Sequence, residues 1–236
     1  MNTDALLERL AVVRERIARA CDSAGRDPSE VTLIAVSKKH PVEAIMALYE
    51  QGVRDFGENY VQEWQAKAPE LPQDIRWHFI GHLQSNKVKY LVDDIACIHS
   101  VDRTSVIKQL AKQADRAVDV FLQINVAEQD SKFGVPPGQT LELLERVVAR
   151  PELRPIGLMT MPPYVEDPEV NRPHFEHMRA LLRRCQQALA SNARGDLLPF
   201  DRLSMGMSAD FEVAIEEGAT HIRVGTVLFG PRSYDD

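Results

Sequence analysis

The sequence has few cysteines, no basic tract and no long apolar run. Its three cysteines, Cys21, Cys97 and Cys185, are odd in number and widely spaced, and no CxxC pattern occurs. This excludes a disulfide framework, argues against a zinc site and points to a reducing compartment. No Lys/Arg cluster stands out against a formal charge of −7, so neither nucleic acid nor a membrane surface is an expected partner. No apolar stretch nears the roughly 20 residues of a membrane-spanning helix. The opening MNTDALLERLAVVRERIARA carries acids early and lacks the unbroken apolar core of a signal peptide. A soluble, cytoplasmic protein is the expectation. Gly/Ser linkers and shifts in composition are missing too, so one domain over residues 1–236 is expected.

What is present is a chain of 236 residues, 44% apolar and 27% charged, enough to bury a large core without staples. Leu6, Leu10, Val13, Ile17 and Cys21 fall at helical spacing and predict an amphipathic helix within residues 1–25. Short apolar runs then alternate with helical stretches. The strands are read at 31–36, 53–56, 75–80, 95–100, 118–126, 153–159, 201–204 and 220–224. Helices are read near Ile45–Tyr49, over 84–92, after Asp102 as an N-cap, over 141–150 and 168–191, near Ser208, and from Thr226. Eight strands alternating with helices predict a single (β/α)8 barrel with an extra N-terminal helix packed on it. An open doubly wound sheet is the rival. The Pro-rich MPPYVEDPEV (161–170) reads as a long loop over one barrel end.

Barrels of this kind place their sites at the C-terminal ends of the strands. There the sequence puts Ser37-Lys38, Gly57-Glu58-Asn59, Gly81-His82, Met159-Thr160, Ser204-Met205-Gly206-Met207-Ser208 and Arg223-Val224-Gly225-Thr226. Ser208 as a cap, and the turn Gly225-Thr226, suit a phosphate, because helix N-termini and glycine turns offer unpaired amides to an anion. Two ordinary helix caps are the competing reading. Lys38 directly follows an apolar strand and should enter the barrel mouth. A lysine there, deprotonated by desolvation and by the charges of Lys39 and Arg223, forms an imine with an aldehyde. A solvated rim lysine is its alternative, and Lys39 is expected at the surface.

The stretches AVSKKHP, FGENYVQE, WHFIGHLQSNK, HSVD, GLMTM and LSMGMSADFEVAIEEGATHIRVGTVLFGPR, in this order, resemble the YggS/PROSC group of pyridoxal phosphate homeostasis proteins, from about residue 31 to 232. The resemblance implies the barrel also seen as the N-terminal domain of alanine racemase. It implies pyridoxal 5′-phosphate (PLP) held as an internal aldimine on Lys38. Arg223 would face the pyridine nitrogen, and Ser208, Gly225 and Thr226 would hold the phosphate. Met207, Gly206 and Ser204 would complete that loop, Asn59 would sit near the ring, and His82 and Met159 would line the pocket. One departure is Lys-His-Pro after Ser-Lys, where relatives often read Thr-Lys-Pro; it touches only the outer loop. The implied role is a monomeric carrier and buffer in vitamin B6 and amino-acid balance, with PLP-dependent apo-enzymes as possible recipients and no catalytic residue assigned.

Chemistry supports that role. Arginine is already protonated and cannot give a ring nitrogen the proton that a strong electron sink needs. A racemase, the alternative function, also needs a second base; Tyr60 and Tyr164 are placed for it, though packing explains them as well. A Schiff-base aldolase using Lys38 without PLP is a third reading. His78, His82 and His99 come from neighbouring strands, but alternation sets His78 and Phe79 on opposite faces and no carboxylate is seen at ligand spacing, so no metal is expected. Glu58 reads as a rim hydrogen-bonding group. Lys87, Lys89 and Arg103 read as a solvated face, and Trp64 and Trp77 as packing residues.

Overall fold

Branched and apolar side chains favour the pleated, half-buried surface of a strand, and in the computed structural model their runs pair side by side. The structure describes residues 3–129, 132–191 and 199–230. Helix α1 (Thr3–Ser23) comes first, followed by β1 (Thr32–Val36), α2 (Val42–Glu50), β2 (Asp55–Glu58), α3 (Val61–Lys67), β3 (Arg76–Phe79) and β4 (Cys97–Val101). Then follow α4 (Thr104–Gln113), β5 (Val118–Ile124), α5 (Thr140–Val148), β6 (Leu153–Thr160), α6 (Arg172–Ala190), β7 (Arg202–Met207), α7 (Phe211–Glu216), β8 (His221–Val224) and α8 (Thr226–Phe229). All eight strands are parallel and close into a barrel in chain order, with β8 returning to β1. The closed barrel, not the open sheet, is the architecture.

Alternation along each strand divides the core in two. Phe56, Trp77, Phe79, Ile222 and Val224 face outward into one large cluster shared with the helices. Helix α6 joins it through Phe175, Met178, Leu182, Cys185 and Leu189, one apolar stripe at three- and four-residue spacing. Helix α1 buries Leu6, Leu10, Val13 and Ile17 on the same cluster. The Arg9 guanidinium ties it to the barrel by donating to the carbonyls of Leu228 and Phe229, 2.9 and 3.1 Å away.

Several boundaries differ from the sequence expectation. Residues 1 and 2 of the expected first helix, and Pro231 and Arg232 of the final motif, lie outside the described residues. The second strand is Asp55–Glu58, two residues later than read, because its polar ends are satisfied by distant partners. The segment after β3 is a 3-10 helix, Ser85–Tyr90, with a single buried side chain, Val88, and no broad apolar face to hold an α-helix. The stretch Pro168–Asn171 is also 3-10, and α6 starts only at Arg172. Asp102 is not the cap of α4: Arg103 holds that position and its own guanidinium takes the Asp102 carboxylate at 2.6 Å. Ser208 does not cap α7 either; Asp210 stands there, and its Oδ1 accepts from the Met207 amide at 2.7 Å.

Strand β7 runs on to Met207 through an irregularity. Ser204 pairs with His221 and Met207 with Arg223, so three steps on β7 match two on β8. Such a bulge inserts one residue and re-aims its neighbours. Gly206 carries it at φ +90°, where a Cβ would lie 2.6 Å from Ala214 Cβ, so only glycine fits without displacing α7.

Candidate functional site

The bulge and the strand ends build one cavity, of about 460 Å³, at the C-terminal mouth of the barrel. Lys38 enters it from the end of β1, Asn59 from β2, Met207 and Ser208 from β7, and Arg223, Gly225 and Thr226 from β8. Apolar walls come from Val36, Ile80, Met161 and Val227, and Tyr164 stands at the rim, 82% exposed. Sequence reasoning found the polar half of this wall. It missed Met161 because the polypeptide past β6 read as loop.

Four of the sequence-derived residues do not line this cavity. Met159 is fully buried below it, packed with Cys97, Phe121 and Ile156 inside the barrel. Ser204 is also fully buried, behind Arg223. Gly206 shapes the bulge. His82 borders a neighbouring cavity of about 410 Å³ that shares Asn59, where it stacks on Phe133 at 3.9 Å. Tyr60 belongs to that second cavity, not to the first.

The phosphate-like end of the site is formed by backbone. The amides of Gly225 and Val227 both donate to one oxygen, Ser208 Oγ, at 3.2 and 3.4 Å. Two amide donors converging on a single oxygen at the start of α8 is the arrangement an anion oxygen takes. Asn59 lines the same cavity, and its side-chain oxygen is buried without a partner among the described residues, a polar group left unmet.

Arg223 is 3% exposed and fixed on two sides. Its Nη1 donates to Ser204 Oγ at 2.6 Å and its Nη2 to the Thr160 carbonyl at 2.8 Å. Burial lowers its pKa to about 10, so it remains a cation at neutral pH. Neither bond consumes the whole guanidinium, which offers five N–H groups, and Arg223 still contributes to the cavity wall.

The Lys38 turn rests on a buried ionic cluster that the sequence did not reveal. Lys67 of α3 donates to the Ser37 carbonyl at 2.8 Å, to Glu58 Oε1 at 2.9 Å and to Glu63 Oε1 at 2.7 Å. The Ser37 hydroxyl also donates to Glu58 Oε1, at 2.7 Å. Glu63 in turn accepts from the Lys39 amide, and Lys39 is left-handed at φ 62°. Glu58 therefore lies beneath the rim, fully buried, with burial raising its carboxyl pKa despite Lys67. Removing one partner of a buried pair strands the other's charge at a cost of about 3–5 kcal/mol. Lys67→Met is expected to lower stability by about that amount, read as a drop of roughly 10 °C in Tm. Differential scanning calorimetry measures it; a drop within a degree or two would mean the cluster is slack.

The histidines also differ from expectation. His78 and His99 meet inside the barrel, with His78 Nδ1 2.9 Å from His99 Nε2. A carboxylate does accompany them: Asp55 Oδ1 lies 2.9 Å from His78 Nε2. Cys97 joins them within 4.8 Å, but the imidazole nitrogens are engaged with each other, with Asp55 and with Ser204. His82 stands apart from this group.

Comparison with known proteins identifies the family. The family model described as alanine racemase, N-terminal domain, matches residues 3–233. The chain is 44% identical to the pyridoxal phosphate homeostasis protein of Aquifex aeolicus, over 96% of this chain and 98% of that one. It is 37% identical to the protein of that name from Escherichia coli K12, over 97% of each. Among solved structures, PipY of Synechococcus elongatus PCC7942, with PLP bound, superposes with a TM-score of 0.80 at 36% identity, covering 95% of this chain and all of that one. A lysine decarboxylase of Selenomonas ruminantium, at 14% identity and TM-score 0.69 over 96% of this chain and 60% of that one, shares the fold alone. By the match of motif, fold and full-length similarity, the chain belongs to the pyridoxal phosphate homeostasis protein family.

Proposed function

We propose that the protein binds PLP reversibly in the strand-end cavity, with Lys38 as the covalent anchor, and acts as a carrier and buffer of the cofactor rather than as an enzyme. When bound, PLP supplies an aldehyde that condenses reversibly with a primary amine. The observation that carries the reading is the pairing, across one cavity, of Lys38 with two backbone amides converging on Ser208 Oγ. A lysine alone marks many sites; a lysine sharing one cavity with Arg223 and with two amides whose acceptor is a movable serine hydroxyl fits a phosphorylated pyridine aldehyde.

Each residue then has a physical task. The Gly225 and Val227 amides, with the Ser208 and Thr226 hydroxyls, take the phosphate oxygens. Asn59, a residue of the cavity wall, meets a ring substituent. Val36, Ile80 and Met161 cover the faces of the ring and exclude water. Arg223 donates a hydrogen bond to the ring nitrogen and gives it no proton, because a guanidinium whose pKa is about 10 holds its own. A ring nitrogen left neutral stabilises a carbanion weakly, which opposes racemase or lyase turnover. The wide rim at Tyr164 leaves a path for release, so apo-enzymes that need PLP are the expected recipients. Cytosolic location and a monomeric state complete this reading. The three cysteines, all free and buried, agree with the first, and no helix of the described residues is long and apolar enough to cross a membrane.

Titration with PLP tests the reading. One equivalent should bind and generate a visible absorption band that an added primary amine reverses. L-alanine incubated with the loaded protein should keep its configuration over hours. Enzyme-like interconversion of the enantiomers would overturn the carrier role, and failure to generate the band would overturn the site.

A further inference from the structure

Inside the barrel a file of buried polar side chains runs from the far end to the cofactor cavity. Arg76, 59% exposed in its side chain, grips the Asp55 carboxylate with Nε at 2.9 Å and Nη2 at 2.5 Å. Asp55 meets His78 at 2.9 Å, His78 meets His99 at 2.9 Å, His99 Nδ1 meets Ser204 Oγ at 2.8 Å, and Ser204 Oγ accepts from Arg223 at 2.6 Å. Five strands contribute, and the four central groups are all at least nine-tenths buried.

The chemistry gives the file a direction. An ionised carboxylate only accepts, so His78 carries its proton on Nε2 and presents Nδ1 as an acceptor. His99 then donates from Nε2 and accepts at Nδ1. The Ser204 hydroxyl donates to that Nδ1, leaving its lone pairs for Arg223. This is the order in which every hydrogen of the file has an acceptor. We propose that Asp55, His78, His99 and Ser204 are positioning residues that fix the orientation of the Arg223 guanidinium through a one-way file of hydrogen bonds crossing the barrel. The link to cofactor chemistry rests on the reading above, in which Arg223 faces the ring nitrogen; the file itself does not.

Other groups face the file and must be counted with it. His221 of β8 lies 6.3 and 6.2 Å, centroid to centroid, from His78 and His99. Cys97 of β4 lies beside the two rings. Arg202 acts on His221, and Asp210 acts on Arg223. Burial drives the His99 pKa well below its usual range, in keeping with a neutral ring.

Nitrogen-15 NMR of the cofactor-free protein at pH 7.5 tests the file without PLP. The expected result is Nε2–H tautomers for both His78 and His99, and separate, slowly exchanging Arg223 Nη–H signals. Ser204→Ala and Asp55→Asn should each merge the Arg223 signals, and Ser204→Thr, which keeps the hydroxyl, should restore them. In the PLP-loaded protein, Asp55→Asn should move the pH titration of the visible band by about half a unit, less than a charge in direct contact achieves. A purely structural role would lower Tm and leave signals and band unchanged. An Nδ1–H or doubly protonated ring, or Arg223 signals indifferent to Asp55→Asn, overturns the proposal. An immobile band with Lys38 still loaded overturns the link to the cofactor but leaves the site reading intact. Failure of PLP to load counts against the site reading, and the NMR result then decides the file alone.

Discussion

Lys38→Ala should abolish the visible band formed with PLP and weaken binding by about a hundredfold, or about 2.7 kcal/mol. The phosphate cradle and Arg223 remain in this variant, so residual binding is expected to persist as free PLP with an unshifted spectrum. Lys38→Arg is the sharper comparison. It keeps length and a positive charge, but a guanidinium stays protonated at neutral pH and has no free amine to condense with an aldehyde. It should lose the band as completely as alanine does. Lys39→Ala should retain the band, because Lys39 is exposed and its backbone, through the amide bonded to Glu63, carries its role in the turn. Equal losses at Lys38 and Lys39 would point to a general effect of charge at the rim rather than to an anchor.

The second large effect is on stability in acid. Burial lowers the His221 pKa to about 3, and that of His99 falls well below its usual range for the same reason. An unfolded histidine takes up a proton near pH 6.5. Between that value and about 3, the unfolded chain therefore binds protons that the folded chain refuses, and stability falls with falling pH. Each such histidine removes up to about 1.4 kcal/mol per pH unit. His221 acting from pH 6.5 to 4.5 removes about 2.5 kcal/mol and His99 adds to that loss, against the roughly 5–15 kcal/mol by which a domain is stable. Asp55 adds a later loss. Its folded pKa is about 2, held down by His78 and Arg76 against burial, so its contribution is complete above about 4 and fades towards 2. Glu58 works the other way, since its raised pKa lets the folded state take up a proton first. One carboxyl opposes two histidines, and the net effect is loss. Urea unfolding between pH 7.5 and 4.5 measures it, and His221→Phe should flatten the slope. A flat profile in the wild type would show that the buried rings are open to protons.

Much of this architecture was legible because its determinants are local. A run such as VDVFLQI makes a buried strand wherever it falls, and the stripe on α6 makes a helix face without help from elsewhere. Only Asp55 and Phe56 of DFGE fell inside the strand read at 53–56, because Glu58 looks like a surface residue until Ser37 and Lys67 are brought to it. The site residues divide in the same way. Lys38, Arg223 and Gly225 are placed by strand ends, which a pattern reveals. Ser204 and His99 lie 105 residues apart in sequence, and nothing local hints that their side chains touch. Met159, a pocket residue by the resemblance, sits on the inward face of β6 below the mouth, and Met161 reaches the cavity two residues later.

Reductive trapping shows whether Lys38 is the covalent anchor for PLP. The protein would be incubated with one equivalent of PLP, treated with borohydride and digested, and the phosphopyridoxyl group located by mass spectrometry. Near-stoichiometric label is expected on Lys38, with little on Lys39, Lys67 or Lys87. Label spread evenly over exposed lysines, with Lys38 unmodified, would contradict it.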